Sequence, residues 1–140
     1  MSFLKNLFKS AKAEKTGIVF IVEDNAVYAQ TLKTFLRSEF PQLKEIRIFP
    51  VGETAEMSLH HNPDLIIMDY FLDTKYSDAE TGLDTVKKIR AAKPEMNIIV
   101  LSAQEDIEVV LEAVKTLNCS YVKKDADAFE RVAEIAKEII

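Results

Sequence analysis

The chain has 140 residues, 48% of them apolar and 29% charged, with a formal net charge of −5. That length suits one domain with a substantial core, and the acidic balance argues against nucleic acid as a partner, since such binders normally carry a basic face. The single cysteine, Cys119, excludes an internal disulfide framework and reads as a packing residue in a reducing compartment; with no apolar run near the roughly 18 residues of a membrane span, a cytoplasmic location is expected.

Residues 1–16, "MSFLKNLFKSAKAEKT", form an extension ahead of the domain expected at 17–140. Phe3, Leu4, Leu7, Phe8 and Ala11 fall on one helical face, with Lys5, Lys9 and Lys12 elsewhere. A helix packed on its own domain or a frayed tail is the plain reading. Docking on a partner, or on a membrane surface through residues 1–12, is the sharper one.

The apolar run "GIVFIV" (17–22) predicts a strand, and the run leads directly into Glu23 and Asp24. A helix follows, with Leu32, Phe35 and Leu36 on one face. "EIRIF" (45–49) alternates polar with apolar residues, as an edge strand does, and "VGETAEMSLHHN" (51–62) is the least distinct helix. His60 and His61, in a polar stretch, read as solvated. "DLIIM" (64–68) predicts a buried strand that runs into Asp69, a carboxylate costly to bury without compensation. The polar stretch "YFLDTKYSDAETG" (70–82) reads as a long loop, and Thr81-x-x-Asp84 resembles a capping box opening a helix that carries Val86 and Ile89. "NIIVL" (97–101) leads into Ser102. Ser102-x-x-Glu105 could itself cap the helix at 105–117, whose apolar stripe is Ile107, Val110, Leu111, Val114 and Leu117. Asn118 can take the left-handed conformation that ends a helix. "CSYVK" (119–123) is a second alternating strand, followed by Lys124. Asp127-x-x-Glu130 resembles a capping box on a last helix bearing Phe129, Val132, Ala136 and Ile139.

Alternating strands and helices imply an α/β fold with a parallel sheet covered on both faces. Continuous apolar strands belong in the centre and alternating ones at the edges, which favours the flavodoxin-like order 2-1-3-4-5. Ligands of such sheets bind beyond the carboxyl ends of the strands, where the order reverses. Those ends carry Glu23 and Asp24, Asp69, Ser102, and Lys123–Lys124. Clustered carboxylates repel unless a cation lies between them, and oxygen ligands of this kind select a hard ion such as Mg²⁺. A carboxylate can be a nucleophile toward a phosphoryl group, with a lysine and a hydroxyl holding the remaining oxygens.

With "VED" after strand 1, "LIIMD" ending strand 3, "LSA" ending strand 4 and "YVKK" at strand 5, the sequence resembles the receiver domains of two-component response regulators, over residues 17–140. The resemblance implies that Glu23, Asp24 and Asp69 hold Mg²⁺, with the backbone carbonyl of Phe71 as a further ligand. It implies that Asp69 is phosphorylated by a sensor histidine kinase or a histidine phosphotransfer protein, with Ser102 and Lys124 completing the reactive set. Ser102 would swing toward the phosphoryl group and Tyr121 turn inward. The family's aromatic residue lies three positions before the lysine, so Tyr121 selects Lys124 over Lys123. Output would be protein–protein interaction through the face of the fourth helix, fifth strand and fifth helix, or a phosphorelay. The expectation is a single-domain switch with no enzymatic role beyond its own phosphorylation and dephosphorylation. A non-phosphorylated adaptor, a receiver fragment of a larger regulator, and a phosphotransferase acting on a small substrate are the alternatives.

Three features depart from the family pattern: Asp125 stands where proline usually follows the lysine, the loop after Asp69 is long, and the leading acid is Glu23 rather than aspartate. Phe71 and Gln104 near the site suggest slow hydrolysis of an acyl phosphate.

Overall fold

The computed structural model describes residues 14–70, 81–103 and 107–140, the side chains of Ile107 and Val109 excepted. The amphipathic face expected at residues 3–11 lies outside them. Five strands, β1 (Ile18–Val22), β2 (Glu45–Phe49), β3 (Leu65–Asp69), β4 (Ile98–Ser102) and β5 (Ser120–Lys123), form one parallel sheet of order β2-β1-β3-β4-β5. The helices are α1 (Ala26–Glu39), α2 (Gly52–Met57), α3 (Gly82–Ala92), α4 (Ile107–Thr116) and α5 (Ala128–Lys137). This is the flavodoxin-like arrangement expected from the alternation of elements. Among the described residues no helix is long and apolar enough to cross a membrane.

The apolar strands explain the layering. Side chains alternate between faces, so Val19 and Ile21 of β1, Leu65 and Ile67 of β3, and Ile99 and Leu101 of β4 pack with α1 and α5 through Leu32, Leu36, Val132 and Ala136. Their neighbours Phe20, Val22, Ile66, Met68, Ile98 and Val100 pack on the opposite face with Ala55, Val86, Ile89, Val110 and Val114 of α2, α3 and α4. Strands buried on both sides must be apolar throughout, which is why β1, β3 and β4 carry unbroken runs.

Local signals set the element ends. Thr81 and Asp84 form a reciprocal capping box at the start of α3. Asn118 adopts a left-handed φ of 54° after α4. The Ser58 N–H reaches back to Ala55 O at 3.0 Å, so α2 tightens into the single 3₁₀ turn Leu59–His61 instead of continuing. His60 and His61 stack with ring centroids 4.1 Å apart, His60 in the open.

Two expectations are corrected. Leu111 is 42% exposed; the buried stripe of α4 centres on Val110 and Val114, and the next residue along is rotated by about 100° out of the interface. Asp127 caps nothing with its side chain. Its own N–H is taken by the Asp125 carboxylate at 2.9 Å, so the side chain that caps the start of α5 lies two residues earlier than Asp127-x-x-Glu130 suggested.

The edge opposite the strands' carboxyl ends is held by Arg90, near the end of α3. Its guanidinium donates to the carbonyls of Pro94 and Met96 at 2.7 Å, Leu117 at 2.9 Å and Asn118 at 3.2 Å. One planar fork thus ties the turn before β4 to the turn before β5. On the same edge, both oxygens of the Asp64 carboxylate accept backbone N–H groups, from Thr16 at 2.9 Å and Gly17 at 2.8 Å, and fix the entry to β1.

Helices α2 and α3 touch through Gly52, where a Cβ would stand 1.9 Å from Oγ1 of the fully buried Thr85. Gly52→Ala should therefore cost about 1–3 kcal/mol of stability by overpacking, read as a lower urea midpoint with unchanged slope. Adding Thr85→Ala should return part of the loss; an undiminished midpoint in the single variant would contradict the tight crossing.

Candidate functional site

The carboxyl ends of β1 and β3 flank the point where the strand order reverses, with those of β4 and β5 further along the same edge. Glu23 follows β1 directly, and its N–H donates to Phe49 O of β2 at 2.9 Å. Asp69 is the last residue of β3 and Ser102 the last of β4. Both strands run one residue further than their apolar runs, because the ladder continues from Tyr70 N–H to Leu101 O at 2.8 Å and from Lys124 N–H to Ser102 O at 2.9 Å.

Glu23, Asp24 and Asp69 each offer a carboxylate oxygen, and these atoms lie within 4.8 Å of one another. Glu23 is 3% and Asp69 6% exposed, and Ser102 is fully buried. The Lys124 ammonium lies 2.7 Å from Glu23 Oε1 and 3.3 Å from Asp69 Oδ2. Lys123 points to solvent. Alternation along the strand thus selects Lys124 over its neighbour. Tyr121 is half-buried on the α4 side of the sheet, its hydroxyl buried with no hydrogen-bond partner among the described residues. The Phe71 carbonyl, Gln104 and Glu105 lie outside the described residues.

Electrostatics follow from the crowding. Burial, reinforced by the neighbouring Asp69 carboxyl and only partly offset by Lys124, pushes the Glu23 carboxyl up to about 8. Burial alone would weaken the Lys124 ammonium, but its bond to Glu23 and the nearby Asp69 charge outweigh that and hold it above the usual lysine range. Glu23 Oε2 is buried with no hydrogen-bond partner among the described residues. A buried carboxylate oxygen without a donor, beside two further carboxylates, fits a hard divalent cation, which would supply the missing positive charge.

Local structure positions each group. Helix α1 is capped by Asn25, whose Oδ1 accepts from Tyr28 N–H at 3.0 Å, and not by Asp24. Gly82, the first residue of α3, lies against the backbone leaving β3: a Cβ there would stand 2.1 Å from Asp69 O and 2.4 Å from Tyr70 O. The loop after Lys124, which lacks proline, is braced by Asp125. Its carboxylate pairs with Arg131 of α5 and accepts the Asp127 N–H, and these two interactions hold its carboxyl below the usual range. Arg131 also donates to Lys123 O at 3.3 Å.

Sequence reasoning did not find Tyr28 or Arg131, and marked Asp125 as a departure from the family pattern without its bracing contacts. The only signal for Tyr28 is an aromatic residue one helical turn after Asp24. His60 and His61 join no metal-ligating cluster among the described residues.

A doubly wound parallel sheet of order 2-1-3-4-5, with an acid cluster, a buried hydroxyl and a lysine at its switch point, belongs to the flavodoxin-like class. The chain belongs to the response regulator receiver domain family, whose model matches residues 19–136. Members of this family accept a phosphoryl group on an aspartate in two-component signalling and typically bind Mg²⁺ at an acidic pocket. A transcriptional regulatory protein of Brevibacillus brevis, DegU, is 28% identical over 111 residues, covering 79% of this chain and 44% of the relative. The regulatory protein LuxO of Vibrio vulnificus (strain YJ016) is 30% identical over 109 residues, covering 77% of this chain and 22% of the relative. The chain thus spans less than half the length of these curated relatives. The signal receiver domain of a modulated diguanylate cyclase from Desulfovibrio desulfuricans G20 superposes with a TM-score of 0.64 at 28% identity, covering 86% of this chain and 93% of that one. A LuxR-family DNA-binding response regulator from Staphylococcus aureus gives a TM-score of 0.72 at 18% identity, covering 87% and 97%, a likeness of fold alone.

The Asp125 brace makes a direct prediction. Asp125→Ala should leave the fold intact but raise the amide exchange rates of Asp127 and Ala128, measured by NMR. Unchanged protection at both amides would show that the loop does not depend on this carboxylate.

Proposed function

We propose that the chain is a phosphorylation-controlled switch that accepts a phosphoryl group on Asp69 from a histidine kinase or a histidine phosphotransfer protein. What carries this reading is the juxtaposition of a nearly buried Asp69 with the Lys124 ammonium at 3.3 Å and two further carboxylates within 4.8 Å. An Asp69 oxygen forms the new P–O bond as the donor's P–N bond breaks, and the imidazole, already protonated on its other nitrogen, takes the electron pair and leaves as the neutral ring. Glu23, Asp24 and Asp69 would hold Mg²⁺, which supplies charge neutralisation between the carboxylates and the phosphoryl oxygens. Lys124 holds one phosphoryl oxygen and Ser102 donates to another.

The readout follows from moving a buried hydroxyl. Ser102 turning toward the phosphoryl group vacates space behind it, and Tyr121, whose buried hydroxyl has no hydrogen-bond partner among the described residues, turns inward. The altered surface is the face of α4, β5 and α5, where Leu111 adds exposed apolar area. The chain acts in the cytoplasm, as a signalling module and not as an enzyme on a separate substrate. A second reading, in which this domain controls an output module in a longer chain, is supported by the greater length of the curated relatives.

Two measurements test the acceptor and the metal site. Asp69→Asn should abolish labelling by acetyl phosphate in Mg²⁺, followed as a mass increase on the intact protein; full labelling would remove Asp69 as the acceptor. Asp24→Asn should weaken Mg²⁺ binding by at least about tenfold, as expected when one of few charged ligands is lost, read by the shift of nearby amide resonances on titration with Mg²⁺. An unaltered Mg²⁺ affinity would place the ion elsewhere.

A further inference from the structure

Lys124 has a third neighbour that the acid cluster does not explain. Its Nζ stands 4.4 Å from the centre of the Tyr28 ring. That is well inside the roughly 6 Å over which a cation is drawn to the negative face of an aromatic ring. The ring is itself held: Tyr28 meets Phe129 of α5 edge-on, with centroids 5.4 Å apart at 71°, and Phe129 meets Phe35 at 5.4 Å. Lys124 therefore sits at the end of an aromatic row that runs down the seam between α1 and α5.

The Tyr28 hydroxyl plays no evident part, being buried with no hydrogen-bond partner among the described residues. The phenyl face, by contrast, has a property that the carboxylates lack. Glu23 is the closest partner of Lys124, at 2.7 Å, yet Glu23 is also one of the three carboxylates placed to hold a cation. A carboxylate oxygen given to a cation is a weaker anchor for an ammonium. The ring carries no net charge and competes for neither metal nor phosphoryl group.

We propose that Tyr28 is a positioning residue for Lys124, its ring face holding the ammonium beside Asp69 while Glu23 serves the metal. This rests on reading Asp69 as the phosphoryl acceptor, and it adds a residue of α1 to the working parts of the site. It assigns the function to the π face and none to the hydroxyl.

The test uses the full chain with Tyr28→Phe, Tyr28→Leu, and a series placing mono-, di- and trifluorophenylalanine at position 28. Fluorination drains the ring's negative face with little change of shape, so packing on Phe129 is nearly constant through the series. Two readouts are taken. One is the upfield ring-current displacement of the Lys124 side-chain protons, by NMR, with and without Mg²⁺. The other is the rate of Asp69 labelling by acetyl phosphate at saturating Mg²⁺. Tyr28→Phe should keep both, the rate within about twofold. Successive fluorines should lower the rate stepwise, to about tenfold for the trifluoro ring, and shrink the displacement in the Mg²⁺-bound protein, while Tyr28→Leu abolishes it. A rate flat across the series, a Tyr28→Phe variant as slow as Tyr28→Leu, or no displacement in the unaltered protein would each overturn the proposal. If the unaltered protein takes no label at all, the acceptor reading fails instead, and the displacement series still decides whether the ring holds Lys124.

Discussion

The structure turns on a charge imbalance at the carboxyl edge of the sheet. Three carboxylates converge within 4.8 Å, two of them nearly buried, and one lysine reaches two of them. Unit charges 4 Å apart interact by about 4 kcal/mol at an effective dielectric constant of 20. Repulsion within the acid trio is therefore of the same order as its attraction to Lys124. One ammonium cannot neutralise the group, and burial together with the neighbouring Asp69 carboxyl pushes the Glu23 carboxyl up to about 8. A protonated Glu23 and a bound divalent cation are alternative solutions to one electrostatic problem.

The rest of the fold serves to keep these groups from relaxing apart. Parallel pairing sets the ends of β1, β3 and β4 side by side, and the two apolar layers leave the strands no freedom to slide. Gly82 packs on the carbonyl of Asp69 and fixes the main chain where the carboxylate departs. On the far side, Asp125 performs through side-chain bonds to Asp127 and Arg131 what a rigid ring would otherwise do for the backbone after Lys124. The departure from the family pattern at this position is thus offset by a local brace.

Much of this was legible in the sequence, for identifiable reasons. "LIIMD" and "NIIVL" read correctly because a strand buried on both faces leaves no choice of residue, and the first polar residue marks the carboxyl end of the strand. Tyr121, with the alternation of the strand, picked Lys124 out of an adjacent pair. Leu111 misled because a helical stripe has a width, and only the neighbouring helix decides which edge of the stripe is covered. Asp127 misled because the spacing of a capping box does not fix where the side chain turns, and the carboxylate that takes an N–H at this helix start, Asp125, stands two residues earlier. The Tyr28–Lys124 contact and the Gly52–Thr85 crossing were invisible for a common reason. Each joins elements far apart in the chain, and neither partner is unusual in its own stretch of sequence.

Arg90 gives the molecule a floor. By gripping the carbonyls of Pro94 and Met96 together with those of Leu117 and Asn118, it locks the tail of α4 to the root of β4. Nearer the start of α4, the buried Val110 packs into the apolar layer on that face of the sheet. One end of the helix is thus fixed by directional bonds to a guanidinium and its body by non-directional apolar contact. That fixed end is set by a residue at the far edge of the sheet from the acids.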